Sequence, residues 1–242
     1  MQPRFNLALR GARDTLPMLV GAAPFGIIFG TLAVSGSLSP WATLAMSVFV
    51  FAGASQFIAL SLIASGTGLL VILLTTFVVN LRHMLYAASL LPLVRGLPQR
   101  WLVPMAFWLT DESYAVVQHR LQSGGDRDPN WRWYFLGSAV AMYSTWVLCT
   151  VAGMLLGHAL PGMADWGLDF AMVATFVGIV VPLLRSRPML AAALSAAVVS
   201  VVLHGLPYKL GLMLAALAGV AAGLGAAALC RRTEEEVSHE RV

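Results

Sequence analysis

Four polar side chains lie inside one long apolar stretch of the sequence: Asn80, Arg82, His83 and Tyr86. Arg82 precedes the end of that stretch near Leu93 by about three helical turns, which is deep for a snorkelling side chain. An arginine at the centre of a membrane helix costs about 2.5–3.5 kcal/mol on insertion scales. We therefore expect a polar substrate path here. The alternative is an interfacial arginine beside two residues that hydrogen-bond neighbouring helices.

Two adjacent carboxylates, Asp111 and Glu112, interrupt the next apolar stretch. A short loop, Val94–Arg100, joins the two stretches and brings Arg82 and Asp111 to similar depth when each is helical. We predict that Arg82 pairs with one carboxylate and that the pair borders the substrate path, which leaves the other carboxylate able to carry a proton. The alternative places both carboxylates at a membrane edge.

Two further candidate sites combine small or helix-breaking residues with polar groups. Ser55 and Gln56 follow a run of small residues, which favours either close helix packing or substrate binding by the Gln56 amide. Pro24 and Gly26 weaken the helical hydrogen bonding of the first apolar stretch, so an unwound turn could present backbone groups to an amino acid. A simple helix kink is the other interpretation.

The composition identifies the elements that must position these residues. The 242-residue chain is 59% hydrophobic and only 11% charged, whereas soluble domains carry roughly 25% charged residues. Too few charges are present to cover a water-facing surface, which excludes a soluble domain, a disordered chain and a disulfide scaffold. Long continuous apolar runs also disfavour a β-barrel. The sequence predicts an all-α polytopic membrane protein.

Eight apolar segments are long enough to consider as membrane helices. They are Leu16–Ser35, Trp41–Ala64, Leu69–Leu93, Trp101–Val117, Trp133–Gly157, Leu168–Leu184, Met189–Leu203 and Leu210–Cys230. Several are short for a full crossing, so we predict seven or eight transmembrane helices, some of them broken or re-entrant. We expect residues 1–230 to form a single transmembrane domain and residues 231–242 a polar cytoplasmic tail.

The arginine distribution predicts the orientation. A cytoplasmic N-terminus and eight crossings place most arginine-containing loops inside, as the positive-inside rule requires. Arg95 and Arg100 disagree, because eight crossings place them outside. Either these two arginines are exceptions, or an early segment does not cross fully.

Several functions lack support in the sequence. There is no phosphate-binding glycine loop of an ATPase, no Cys/His metal spacing and no hydrolase motif. The arginines lie mainly between apolar segments, so they indicate membrane topology and no nucleic-acid partner. We expect no metal, no cofactor and no enzymatic activity.

The stretch from Gly21 to Tyr114 resembles the AzlC family, the large subunit of bacterial branched-chain amino acid exporters (the LIV-E family). The resemblance rests on the following residues and runs: Pro24-Phe25-Gly26, Phe51–Phe57, Val79–His83 with Tyr86, Leu109–Glu112, Leu168–Phe170, the Arg185/Arg187 turn and His204–Gly211. It therefore extends over most of the chain.

The resemblance implies a multi-pass protein of the bacterial inner membrane that exports valine, leucine and isoleucine, with methionine as a further candidate. It also implies a small AzlD-type membrane partner and energy from the membrane potential or the proton gradient.

Two rival functions remain: a channel or transporter for another small solute, and a non-transporting membrane subunit or enzyme. A channel would conduct independently of the proton gradient, and an enzyme would stay active in detergent.

Overall fold

A computed structural model describes residues 3–36, 38–122, 130–159, 177, 181, 184, 186–206 and 210–239, without the side chains of residues 122, 158, 212, 213 and 231–239. Within these ranges the chain is helical and has no strand, which confirms the all-α membrane class. The helices are α1 (Arg4–Ser35), α2 (Pro40–Ala45) continued by a π-helix (Met46–Val50), α3 (Gly53–Ala64), α4 (Leu69–Asn80), α5 (Arg82–Val94), α6 (Gln99–Phe107), α7 (Asp111–Gln122), α8 (Trp131–Ala159), α9 (Arg187–Val202) and α10 (Leu210–His239).

The chain divides into two compact units, which are described separately. The first unit comprises Met1–Gly68 and Val79–Asp169, and the second comprises Leu69–Val78 and Phe170–Val242. Much of the predicted sixth segment, Leu168–Leu184, lies outside the described residues, so the total of seven or eight segments stays a prediction. The single domain over residues 1–230 and the polar tail are likewise predictions.

In the first unit, α1 and α8 pack side by side along a seam of small residues. A Cβ atom added at Gly11 would lie 2.0 Å from the Tyr134 carbonyl oxygen, and one at Gly30 would lie 2.1 Å from the Thr150 carbonyl oxygen. Gly153 of α8 faces Ile27 of α1 just as closely. Contacts advance in the same direction along both helices, so α1 and α8 run parallel. Glycine allows this approach because it carries no side chain.

Three helical stretches among the described residues are long and apolar enough to cross a membrane: Arg4–Ser35, Leu69–Val94 and Trp131–Gly157. The middle stretch contains both α4 and α5, which meet at Leu81, where the backbone stays helical. Since α1 and α8 run parallel, the chain between them crosses an odd number of times. Leu69–Val94 is long and apolar enough for one such crossing.

The second predicted segment folds back on itself. Its helix breaks at Phe51 and Ala52, where Phe51 has a left-handed backbone with φ of 43°. The Gln56 amide donates to the Ser47 hydroxyl across a distance of 3.1 Å, which brings α3 back alongside the π-helix. A straight helix would separate these positions by about 13.5 Å along its axis. The π-helix and α3 therefore form a hairpin.

Contacts with α1 and α8 place both ends of this first hairpin at one end of the unit. Its tip, at Phe51, contacts Tyr143 near the middle of α8. From there α3 runs back towards the C-terminal end of α1, where Leu60 lies beside Gly36. Phe57 contacts Phe29 on the way. The segment thus enters from the end that holds the α1 C-terminus and returns to it.

The fourth predicted segment forms a second hairpin from the opposite end. Trp101 of α6 contacts Trp133 in the first turn of α8, with ring centroids 5.0 Å apart. The helix breaks between Phe107 and Asp111, and Trp108 contacts Tyr143. The second helix, α7, then returns to the starting end, where Arg120 lies over the ring of Tyr134.

This arrangement accounts for the two discordant arginines. Val94 and Leu97 pack against the cluster that contains Leu7 and Trp131, at the end of the unit that holds the α1 N-terminus. The loop with Arg95 and Arg100 is therefore on the same side as Arg10 and Arg132. Of the two explanations for these arginines, the structure supports incomplete crossing, and it applies to both the second and the fourth segments.

The second unit contains a helical hairpin built on small residues. Gly219 of α10 lies against Ala192 and Ala196 of α9, and Gly223 lies against Ala192 and Pro188. As the residue number rises along α10 it falls along α9, so the two helices are antiparallel. Close packing between small residues is how helices associate where surrounding lipid removes the hydrophobic driving force.

The folded-back segments predict a labelling pattern. We replace both native cysteines and introduce single cysteines at Leu38, Thr67 and Arg95, then apply a membrane-impermeant thiol reagent to intact cells. Leu38→Cys and Thr67→Cys should both react from outside because they are at the two ends of the first hairpin, whereas Arg95→Cys should react only after permeabilisation. Protection of Thr67→Cys together with outside labelling of Arg95→Cys would show that the second segment spans, which would contradict the first hairpin.

Candidate functional site

An ion pair joins the beginnings of α5 and α7. The Arg82 Nη1 atom lies 2.6 Å from Asp111 Oδ2, as the matching depths in the sequence predict. The side chains are 30% and 38% exposed, so the pair is not sealed within the unit. Pairing offsets the loss of hydration that each charge suffers in a membrane.

Tyr86 provides the second contact of the Asp111 carboxylate. It lies one helical turn after Arg82, and its hydroxyl donates to Asp111 Oδ1 across 2.6 Å. The Tyr86 ring stacks on Tyr114, with centroids 4.6 Å apart, and the Tyr114 hydroxyl donates to Ser89 Oγ. Asp111 is thus held by a cation on one oxygen and a hydroxyl on the other, which fixes α5 against α7.

The start of α7 is determined by a reciprocal cap. The Ser113 amide donates to the Thr110 hydroxyl, and the Thr110 amide donates to the Ser113 hydroxyl. This capping box satisfies backbone donors at the helix break. It also sets Asp111 and Glu112 in the first turn, where the helix dipole favours negative charge.

The remaining polar candidates of this region lie around the ion pair. Glu112 is partly buried and makes no salt bridge with a described residue. His83 contacts the Tyr86 ring edge-on, with centroids 5.9 Å apart. Asn80 has a buried side-chain oxygen without a hydrogen-bond partner among the described residues. The structure therefore brings together all six predicted residues from Asn80 to Glu112.

Ser55 and Gln56 belong to the tip of the first hairpin instead. Both are fully buried; Ser55 bonds back to the Ala52 carbonyl, and Gln56 reaches Ser47, which in turn contacts Thr150 of α8. Side chains of the hairpin and of α8 thus replace part of the backbone hydrogen bonding that the helix break removes.

Tyr143 of α8 lies between the tips of the two hairpins, which are at Phe51 in the first and at Trp108 in the second. Its ring centroid is 4.9 Å from that of Phe51 and 5.9 Å from that of Trp108. Its hydroxyl donates to the carbonyl of Val48, in the last turn before the first break. The sequence analysis missed Tyr143 because a tyrosine within an apolar helix gives no signal of its own; the breaks that it joins become visible only in three dimensions.

Three buried polar atoms near these tips lack a hydrogen-bond partner among the described residues. They are Gln56 Oε1, Trp108 Nε1 and Trp146 Nε1. The Trp146 ring packs on Gly53, where a Cβ would lie 2.8 Å from it. A buried donor or acceptor without a partner carries a desolvation penalty, so each of these atoms has an unused hydrogen-bonding position.

Pro24 and Gly26 do not join either group. The first helix continues through Pro24 without an unwound turn, which corrects that interpretation, and the Pro24 side chain is exposed. Gly26 packs on α8, where a Cβ would lie 2.7 Å from the Cys149 Cβ. Substrate binding by these two residues stays a prediction. Within the described residues, no group of three His, Cys, Asp or Glu side chains could hold a metal ion.

Comparisons with known proteins identify relatives over most of the chain. The family described as AzlC protein matches residues 17–160. The inner membrane protein YgaZ of Escherichia coli K12 is 30% identical over 89% of this chain and 87% of its own length. A Bacillus subtilis protein named branched-chain amino acid transport protein AzlC is 28% identical over 67% of this chain and 62% of its own length.

An archaeal relative extends the comparison. A membrane protein of Archaeoglobus fulgidus, without an assigned function, is 31% identical over 87% of this chain and 91% of its own length. No solved structure matches the chain significantly. The site geometry therefore rests on the contacts described above.

The ion pair predicts a specific pattern of stability. Arg82→Ala leaves the Asp111 carboxylate without its cation and should lower the free energy of unfolding by roughly 2–3 kcal/mol. Adding Asp111→Asn to Arg82→Ala should recover much of that loss, because no unpaired charge remains. Thermal unfolding of the purified chain in detergent measures both, and Arg95→Ala, which removes an exposed arginine, is the control. A double variant no more stable than Arg82→Ala would contradict the pairing.

Proposed function

The chain belongs to the AzlC family, and on that premise we propose that it is the large subunit of a secondary-active exporter of branched-chain amino acids. It is a multi-pass inner membrane protein, and its family is a membrane transport family. The proposal adds the substrates, valine, leucine and isoleucine with methionine as a further candidate, and the two-component arrangement. The observation that carries it is the meeting of two helix breaks at Tyr143.

Broken helices suit an amino-acid substrate because their ends expose backbone groups. The N-terminal end of α3 has no side-chain cap and no acidic residue in its first turn. Its amide groups and the helix dipole are therefore suited to a substrate carboxylate. Transporters with discontinuous helices bind carboxylates in this way near the middle of the membrane.

The second hairpin offers the opposite charge. Glu112 lies in the first turn of α7 without a salt bridge to a described residue, next to the neutralised Asp111. We assign it the substrate ammonium, or the coupling proton when the site is empty. The rings of Phe51, Trp108 and Tyr143 provide an apolar surface for a branched side chain.

An exporter accounts for the buried tips better than an open channel does. Phe51, Ala52 and Leu109 are each no more than 7% exposed, so the tips leave no continuous water path at their meeting point. Alternating access would require one hairpin to move against the α1–α8 pair, which opens the tips to one side at a time.

A small membrane partner would cover the helical stretch Leu69–Val94. Only 6% of its most apolar window is buried within this chain. Large side chains such as Phe77 and Met84 are exposed, and the same stretch carries the partly exposed Arg82. Lipid is a poor environment for that cation, which favours a protein surface. An AzlD-type subunit is the expected occupant.

Amino-acid efflux tests the proposed function. Cells are loaded with dipeptides of valine, leucine or isoleucine and compared with and without this chain and its partner. We expect faster efflux of the released branched-chain amino acid only when both subunits are present, and loss of that efflux when the proton gradient and membrane potential are dissipated. Efflux that persists without any gradient would indicate a channel, and unchanged efflux would contradict transport of these substrates.

Variants at the tips test the site separately. Glu112→Gln and Tyr143→Ala should each lower leucine efflux at least about tenfold at equal protein level, because they remove the ammonium partner and the surface between the tips. Trp41→Phe is the matched control, since Trp41 is 79% exposed and far from the tips. Near-normal efflux by both tip variants would place the substrate elsewhere.

A further inference from the structure

A cleft opens at the end of the first unit that holds the α1 N-terminus. It has a cavity volume of about 560 Å³ and is bordered by α1, the last turns of α7 and the first turn of α8. It lies away from the hairpin tips, and no step of the proposed transport uses it.

Positive charge dominates this cleft. Arg10 and Arg13 line it from α1, and Arg120 lines it from α7, together with His119. Among the described lining residues the single carboxylate is Asp14, which accepts a hydrogen bond from the Tyr134 hydroxyl at 2.8 Å and lies 3.9 Å from Arg10. Three arginines against one carboxylate leave a net charge of +2 from these groups.

Arg120 is held in place but incompletely satisfied. Its guanidinium lies over the Tyr134 ring, 4.3 Å from the centroid, a geometry that fixes a cation by its attraction to the ring face. Its Nε atom is buried and has no hydrogen-bond partner among the described residues. A buried guanidinium donor without a partner is suited to an anion with several acceptor oxygens, of which phosphate is the best match.

The part of the cleft wall farther along α1 is apolar. Pro17 and Met18 continue the lining along α1, and Ala115 and Val116 continue it along α7. The cleft therefore changes from charged to apolar along the direction in which α1 enters the membrane. A ligand with a charged head and an apolar body fits that gradient, whereas free phosphate would use only one end of it.

We propose that this cleft binds the phosphate group of an anionic phospholipid, with the acyl chains against the apolar wall. The arginines lie at the end predicted to be cytoplasmic, where anionic headgroups attract basic residues and basic pockets between helices bind them. The proposal concerns lipid binding alone and is independent of the transported substrate.

The charge balance selects among lipids. A zwitterionic headgroup or a free amino acid carries an ammonium beside its anion, and among the described lining residues the one carboxylate for that ammonium is Asp14, which Tyr134 already engages. Phosphatidylglycerol carries no cation, so it avoids repulsion by the three arginines. A free amino acid is for the same reason not the preferred occupant of the cleft.

Native mass spectrometry of the purified full-length chain tests the proposal. The chain in detergent is titrated with phosphatidylglycerol, phosphatidylcholine or inorganic phosphate. We expect saturable binding of phosphatidylglycerol at least fivefold tighter than that of phosphatidylcholine. Arg13→Gln should weaken phosphatidylglycerol binding by about fivefold, as for the loss of about 1 kcal/mol per arginine near an anionic surface. Arg13 is exposed and makes no salt bridge with a described residue, so this change should leave the fold intact.

Two controls remove an exposed arginine outside the cleft. Arg4→Gln acts on the same end of the unit, and Arg100→Gln acts on the loop between α5 and α6. Both should retain phosphatidylglycerol affinity within twofold. Equal binding of the two lipids, or equal losses in Arg4→Gln and Arg13→Gln, would overturn the proposal. Displacement of phosphatidylglycerol by millimolar phosphate would also overturn it, since the cleft would then be a site for the free anion.

Discussion

The rest of the structure depends on the need of every backbone amide and carbonyl at membrane depth to find a partner within the protein. Two helices break there, and each break is placed against α8. The Tyr143 hydroxyl satisfies the Val48 carbonyl before the first break, and the Thr110–Ser113 cap satisfies donors after the second. Both hairpin tips pack against the parallel α1–α8 pair and depend on it. Its glycine seam is therefore a requirement of the site as well as of the fold.

Charged side chains at membrane depth likewise need a partner within the protein. The Asp111 carboxylate lies at the start of α7 and is neutralised from α5 by Arg82, with Tyr86 on its other oxygen. The α7 dipole favours both carboxylates of its first turn, yet among the described residues Asp111 has a cationic partner and Glu112 makes no salt bridge. The proposed function therefore assigns the substrate ammonium or a proton to Glu112. Of these two neighbouring acids, Asp111 thus has a structural role and Glu112 has the role proposed in transport.

The sequence was sufficient for the class of the fold and for the ion pair. Apolar run length reveals membrane helices, and the depth of Arg82 from one loop end matches that of Asp111 from the other. It was insufficient to show that two segments fold back, because hydropathy does not distinguish a broken crossing helix from a hairpin. Arg95 and Arg100 were the sequence signal for incomplete crossing, because eight full crossings place both arginines outside, against the positive-inside rule. Nothing in the sequence marked Tyr143, since its importance arises from contacts with residues distant in sequence.

The central claim is that two segments enter the membrane and return, so that their tips meet within the protein. Cross-linking of Ser47→Cys to Gln56→Cys tests it most directly, in a chain without other cysteines and with a short bifunctional thiol reagent. The hydrogen bond between the native side chains predicts efficient linkage, detected as a joined peptide by mass spectrometry. Ala139→Cys with Leu148→Cys, equally spaced along the continuous helix α8, should remain unlinked. Failure of the first pair to link while both cysteines react singly would contradict the hairpin and the site built on it.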